Sequence, residues 1–214
     1  MDAGVNALFD AVKASNLEAV KQLINQGVLD LVVDDEETEG LAPLHLVTSP
    51  HVAYALLSAG QNPNTRTWDG DTPLHSAARK DDPELVRLLC AFGADVDAQD
   101  NTGSTPLHDV SSAKIAQWLL HFGANVNAED YGEQTPIFNA SSVEIAAMLV
   151  EAGADLSHEA GLDVLEYFGI HDCQDDMYEY LCMAVEQDKS RREAKALEET
   201  TPTATSINTP SRRL

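Results

Sequence analysis

Thr72-Pro73-Leu74-His75 is the stretch that decides how this chain is read, because the same tetrapeptide returns as Ala42-Pro43-Leu44-His45, Thr105-Pro106-Leu107-His108 and Thr135-Pro136-Ile137-Phe138. Each copy precedes a short apolar segment and a closing element: Gly60-Gln61-Asn62, Gly93-Ala94-Asp95, Gly123-Ala124-Asn125 and Gly153-Ala154-Asp155. Self-similarity at a fixed period marks stacked units rather than one globular core. Thr-Pro opens a helix, since threonine can accept from amides at a helix start and proline at the first position sacrifices no needed donor. Leu74, Ala77, Ala78, Leu85, Val86, Leu88 and Leu89 then supply apolar positions at helical spacing over two antiparallel helices. Gly93 and its equivalents suit the left-handed conformation that ends a helix, and Asp97-Ala98-Gln99-Asp100-Asn101-Thr102-Gly103 reads as the turn into the next unit.

Over roughly residues 5 to 185 this combination resembles the ankyrin repeat family. The resemblance implies an all-α solenoid of stacked helix pairs with β-hairpin or loop fingers. It implies a concave face that binds other proteins, and no catalytic machinery. The expected units lie near 5–37, 38–67, 68–100, 101–130 and 131–160, with a divergent cap over 161–185 built from the helical stretches 162–168 and 177–183. From 186 to 214 a charged helical extension through Leu197 and then a disordered Thr/Pro-rich tail are expected.

Spacing adds what the family pattern does not. The motif-to-glycine distance is 21 residues in the unit starting at Thr72 but 18 in those starting at Ala42, Thr105 and Thr135. The glycine-to-motif distance after Gly60, Gly93 and Gly123 is always 12, so the missing residues belong to the first helix of each short unit. A similarly clipped helix occurs in one repeat of the ankyrin-type inhibitors of cyclin-dependent kinases. The first unit, opening at Asn6-Ala7-Leu8-Phe9, is full length without the Thr-Pro signature.

Charge is the second guide. The chain has 36 acidic and 13 basic residues, a net of −23, and all of the acidic excess lies before residue 186. Such a surface argues against nucleic acid and against an anionic membrane as partner, and suits either plain solubility or the attraction of a basic protein. The linker after Gly27 carries Asp34-Asp35-Glu36-Glu37-Thr38-Glu39, an acidic finger that is equally readable as a solvated loop.

Aromatic residues at finger positions carry more information than acids, because tryptophan and tyrosine contribute heavily at interfaces. Trp68 and Tyr131 hold equivalent finger positions, with folding back over the hairpin as the alternative for Trp68. Trp118, at the position of Leu88 and Met148, is expected in the core. The expected contact face is Trp68, Asp69, Asp71, Arg79, Lys80, Asn101, Thr102, Ser104 and Tyr131. For Arg79 and Lys80 the alternative is relief of repulsion from Asp81, Asp82 and Glu84.

An enzyme is not expected. His45, His75 and His108 are motif residues that the resemblance assigns to bonds within the turn and to the next unit. His171, Cys173 and Cys182 lack paired metal-ligand spacing, and no phosphate loop or nucleophile motif is present. No cofactor and no metal are implied. Three cysteines suggest reduced thiols, and the absence of a long apolar run suggests a soluble cytoplasmic or nuclear protein, expected to be a monomer. In the tail, Thr209-Pro210-Ser211-Arg212 and Thr201-Pro202 are candidate proline-directed phosphorylation sites, with Arg212-Arg213-Leu214 similar to a minimal cyclin-docking motif. The function these features suggest is an adaptor or escort for a protein partner, with occlusion of a kinase or other enzyme as the alternative.

Overall fold

The computed structural model describes residues 3–31, 40–156 and 175–200. The acidic run 34–39, the stretch 162–168, His171, Cys173, Thr201 and Thr209 lie outside the described residues.

Helices come in antiparallel pairs. The first pair is α1 (Ala3–Lys13) and α2 (Leu17–Asn25), followed by a 3-10 turn at Val28–Leu31. The second is α3 (Pro43–Leu46) with α4 (Pro50–Ser58), and the third is α5 (Pro73–Arg79) with α6 (Pro83–Ala91). In the fourth unit residues 106–109 form only a turn before α7 (Ala113–His121). In the fifth, a 3-10 helix at Pro136–Asn139 precedes α8 (Val143–Glu151). First helices are therefore shortened wherever the motif-to-glycine distance is 18, and α5 alone keeps seven residues among the four motif-bearing units.

Second helices begin at polar caps. The Asn16, Asp82 and Ser142 side chains accept from the amides of Ala19, Leu85 and Ile145, satisfying donors that a helix start leaves open. Each second helix ends before a glycine in the left-handed region, Gly27, Gly60, Gly93, Gly123 and Gly153 having φ of 76°, 94°, 85°, 91° and 94°.

The core is one continuous ladder. Leu8, Leu44, Leu74, Leu107 and Ile137 form the inner rung of successive units and have no exposed surface, as do Leu56, Leu89, Leu119 and Leu149 on the second helices. Full burial of each such side chain contributes about 1.5–3 kcal/mol. Helices α2, α4, α6, α7 and α8 pack side by side as the outer layer. Trp118 of α7 is half-buried against this core, its ring 5.7 Å from that of His121 and 6.1 Å from that of Phe122, and its buried indole N–H has no partner.

Helix α9 (Asp175–Thr200) packs back onto α8 through Met177, Leu181 and Ala184. It runs without a break across residues 185 and 186 and past Leu197, and its side chains from 189 to 195 are exposed. Arg192 bonds Asp155 at 2.9 Å and Asp188 at 2.7 Å, fastening the distal part of α9 to the last closing turn.

The fingers differ from regular hairpins. In each, the widest amide-to-carbonyl bond closes the loop, Thr67 to Asp71, Asp100 to Ser104 and Asp130 to Gln134 at 2.9, 2.9 and 3.0 Å, with a tighter turn bond inside it. No strand occurs among the described residues. A loop of five residues offers too few paired positions for a ladder, so the fingers take their order from side chains within each loop and from one another.

Candidate functional site: the finger row

Each threonine-histidine motif is a bracket between units, with the histidine bonding within the turn and to the next unit as expected and the threonine acting differently from the expectation. The Thr72 hydroxyl does not cap α5; the histidine reaches back instead. Nδ1 of His75 accepts the Thr72 amide at 3.1 Å and lies 2.9 Å from the Thr72 hydroxyl, while Nε2 lies 3.1 Å from the carbonyl of Ser104 in the next finger. A carbonyl only accepts, so Nε2 carries the proton and the bare Nδ1 receives both threonine donors. His108 repeats the arrangement with Thr105 and Gln134, and His45 repeats it with the Ala42 amide and the Asp71 carbonyl. Burial, opposed by its bonds to the backbone of Asp71 and Ala42, pushes the His45 imidazole below its ordinary value.

Within a finger, carboxylates tie the loop. Asp100 accepts from the Thr102 hydroxyl at 2.6 Å and from the amides of Thr102 and Ser104 at 2.7 and 3.0 Å. Burial opposes ionisation, but these bonds win and hold the Asp100 carboxyl below its usual range. Asp130 does the same for the amides of Gly132 and Gln134.

Between fingers, backbone and side chains lock tip against tip. The Asn101 amide donates to the Asp69 carbonyl and the Tyr131 amide to the Thr102 carbonyl, both at 2.9 Å. The Asn101 carboxamide donates to the Trp68 carbonyl at 2.7 Å, the Arg66 guanidinium donates to the Gln99 carbonyl, and the Gln99 carboxamide donates to the Glu129 carbonyl at 3.1 Å. The Tyr131 ring lies over Gly103 so closely that a methyl group there would sit 2.6 Å from Cδ1, and Gly103 also has φ of 84°. Both facts require glycine.

The result is a rigid row from which aromatic rings project. Trp68 is 56 % exposed and Tyr131 74 % exposed, and Asp69 beside Trp68 is also exposed. Trp68 therefore does not bury itself on its own finger. Its Cδ1 lies against Gly40 of the preceding one.

The other expected contact residues do different work. Arg79 forms a two-pronged pair with Asp71 and bonds Asp109 at 2.8 Å, and the Asp71 bond raises its already high pKa further. Lys80 donates to the His45 carbonyl at 2.8 Å, and desolvation by burial lowers its pKa despite nearby Asp82. Their hydrogen-bond partners are thus Asp71, Asp109 and a neighbouring carbonyl rather than Asp81, Asp82 or Glu84. Asn101, Thr102 and Ser104 spend their polar groups inside the row. The structure brings Trp68, Asp69, Asn101, Thr102 and Tyr131 together at the fingertips and sets Asp71, Arg79 and Lys80 apart at the finger bases.

Sequence reading missed a second set of connectors. Asn64 donates to the Gly93 carbonyl and accepts the Asp95 amide at 3.1 and 2.8 Å, and Asn127 treats Gly153 and Asp155 in the same way. Asp97 accepts the Asn125 amide at 2.8 Å. The signal was present as Asn62-Pro63-Asn64, Asp95-Val96-Asp97 and Asn125-Val126-Asn127, a polar residue repeated two positions after the closing element.

Burial pushes the Cys90 thiol up to about 12, away from a reactive thiolate. No helix among the described residues is long and apolar enough to cross a membrane.

Stacked helix pairs, projecting fingers and an interlocked tip row define a repeat solenoid with a surface site. The model of the ankyrin repeat family matches residues 47–130 as three copies of the ankyrin repeat, so this part of the chain carries ankyrin repeats. Among similar proteins, a putative ankyrin repeat protein of Rickettsia bellii is 30 % identical over 111 residues, covering 51 % of this chain and 43 % of its own length. The human protein fem-1 homolog A is 38 % identical over 71 residues, 33 % of this chain and 11 % of that protein. The Gallus gallus nuclear factor NF-kappa-B p105 subunit is 34 % identical over 111 residues, 50 % of this chain and 11 % of that protein. The chain thus spans less than half the length of each of these relatives. Ankyrin repeats are generally protein–protein interaction modules and typically non-enzymatic.

Proposed function

We propose that this chain is an adaptor or escort that holds a basic protein partner against its finger row. The observation that carries the reading is the pair of exposed rings, Trp68 and Tyr131, fixed in place by finger-to-finger bonds. Ordering is already complete before a partner arrives, so an aromatic contact loses little conformational entropy on binding. The surrounding charge supports a cationic partner: Asp69, Glu129 and Glu133 are exposed along the row, whereas Asp71, Asp100 and Asp130 are consumed by Arg79 or by backbone amides. An arginine or lysine side chain over an indole, flanked by a carboxylate, gains both cation–π and ionic attraction. The acting species in this reading is a monomer working in the cytoplasm or nucleus.

A second reading, occlusion of a kinase or other enzyme, is favoured by the shortened first helices at residues 43–46, 106–109 and 136–139, which make the inner wall shallow and open to a bulky surface.

Affinity capture at low and raised salt, with a Trp68→Ala/Tyr131→Ala protein as control, tests both. A basic partner released by salt and lost in the double variant is the expected result, with binding weakened by about 2–4 kcal/mol and the thermal midpoint nearly unchanged. A salt-resistant neutral partner, particularly an enzyme whose activity is blocked, would instead establish occlusion.

A further inference from the structure

A second surface lies on the opposite side of the solenoid. Counting back five residues from each closing glycine gives Ala55, Leu88, Trp118 and Met148, one position on the outer face of α4, α6, α7 and α8. Three of these side chains are large and partly buried against the core. The alanine is not, and over it a groove of about 650 Å³ opens between α2, α4 and α6. Leu17 and Ile24 of α2, Leu88 of α6 and the ring of Tyr54 line it. Tyr54 is 57 % exposed and held on edge against Phe92, with ring centroids 5.8 Å apart.

The groove departs from the acidity of the chain, its cations and carboxylates being balanced. In a protein of net charge −23, its lining includes Lys21 and Arg87 against one carboxylate, Glu84. Each cation pairs with a glutamate three residues earlier, Lys21 with Glu18 at 3.5 Å and Arg87 with Glu84 at 3.2 Å, and all four side chains are about half exposed or more. Such surface pairs are weak and leave donors for an arriving carboxylate. Three outer helices lying side by side, with an apolar trough between rims that each carry one weakly glutamate-paired cation, fit an amphipathic helix laid with its apolar face inward.

We propose that this groove docks an acidic amphipathic helix of another protein, using large apolar side chains to fill the space above Ala55 and carboxylates to meet Lys21 and Arg87. The two faces of the array then select opposite chemistries, a basic partner at the fingers and an acidic helix at the back, and the protein joins the two. The docking site stands on its own residues and does not require the finger reading.

The test uses the full chain and a fluorescent helical peptide of leucine, alanine and glutamate, compared with the same peptide carrying lysine at every glutamate. The glutamate peptide is expected to bind, and the lysine peptide at least tenfold more weakly. Ala55→Trp, which copies Trp118, should lower that affinity at least tenfold while the helical signal and thermal midpoint stay in place. Ala55→Leu, which copies Leu88, serves should the tryptophan disturb folding. Lys21→Glu/Arg87→Glu should invert the preference, and Trp68→Ala/Tyr131→Ala should leave it unchanged. Absence of binding, equal binding of both peptides, or indifference to both Ala55 substitutions would overturn the proposal. Self-association of the free chain that Ala55→Trp abolishes would overturn it as well, in favour of a second copy as occupant.

Discussion

The third unit and the fifth begin alike, at Thr72-Pro73 and Thr135-Pro136, and end alike, at Gly93 and Gly153, yet they are joined to their surroundings by different means. In the third, His75 takes two donors from Thr72 and gives one proton to the carbonyl of Ser104 in the next finger. In the fifth, Phe138 stands in the histidine's place, buried and apolar, and the Thr135 hydroxyl is left buried without a partner. The comparison teaches that the neighbour-to-neighbour coupling of this array resides in polar brackets that can be deleted one at a time, while the apolar ladder through Leu74, Leu107 and Ile137 continues regardless. In a solenoid whose stability is a sum of unit and interface terms, loss of a bracket should loosen one interface and spare the others.

The strongest way to break the contrast is to give the third unit the solution of the fifth. His75→Phe leaves the Thr72 amide and the Thr72 hydroxyl unpaired and removes the imidazole from the Ser104 carbonyl, which keeps its bond from the Asp100 amide. At about 1–3 kcal/mol for each of the two buried groups left unpaired, a total loss of about 2–6 kcal/mol is expected. Chemical denaturation should then separate into two steps, with amide exchange faster on both sides of the interface between residues 68–100 and 101–130. A single unfolding step with a loss below about 1 kcal/mol would mean that the apolar ladder alone couples the units.

Much of this was legible beforehand, for a physical reason. Proline at a helix start, glycine at a helix end and leucine at the inner rung each answer a local requirement of backbone or burial. Counting from Thr72 to Gly93, and from Thr105 to Gly123, was therefore enough to locate the shortened first helices. The histidine's bonds within the turn and to the next unit were expected from the resemblance, but the threonine's part came out reversed at the cap, because nothing in the tetrapeptide says that an imidazole at the fourth position out-competes the threonine hydroxyl. Arg79 and Lys80 were read as part of the contact face, with relief of repulsion from Asp81, Asp82 and Glu84 as the alternative, and their bonds go elsewhere. Asp71 is eight residues away on the finger of the same unit, while Asp109 and the carbonyl of His45 come adjacent only once units stack. The groove above Ala55 was hidden for a similar reason, since an alanine in one helix becomes a cavity only when three helices lie side by side.

Proton concentration sharpens the comparison without a mutation. The folded-state pKa of His45 lies below the ordinary 6.5, so the folded protein resists the proton that the unfolded chain accepts. Its contribution is accordingly intact above about pH 6.5 and is lost as pH falls through 6.5 toward the folded value, at up to about 1.4 kcal/mol per pH unit. Denaturation midpoints measured between pH 7.5 and 5.5 should fall for the native chain, and the decline should flatten in a His45→Phe protein, which has no imidazole to titrate at that bracket. An equal decline in both would assign the acid sensitivity elsewhere.

The smallest effect isolates a single hydroxyl. Thr105 donates to Nδ1 of His108 at 2.9 Å, while Thr135, in the same place one unit later, has no partner for its buried Oγ1. Valine has nearly the same shape as threonine and lacks the hydroxyl. Thr105→Val should therefore cost about 1 kcal/mol, the usual net worth of a hydrogen bond, whereas Thr135→Val should cost nothing or stabilise slightly by removing a desolvated group that gains nothing in return. The two substitutions differ in no other respect of chemistry, so the sign and size of their difference measure the bracket directly. Equal losses would mean that both threonines act through backbone preference at the turn, and the histidine would then matter to the next finger alone.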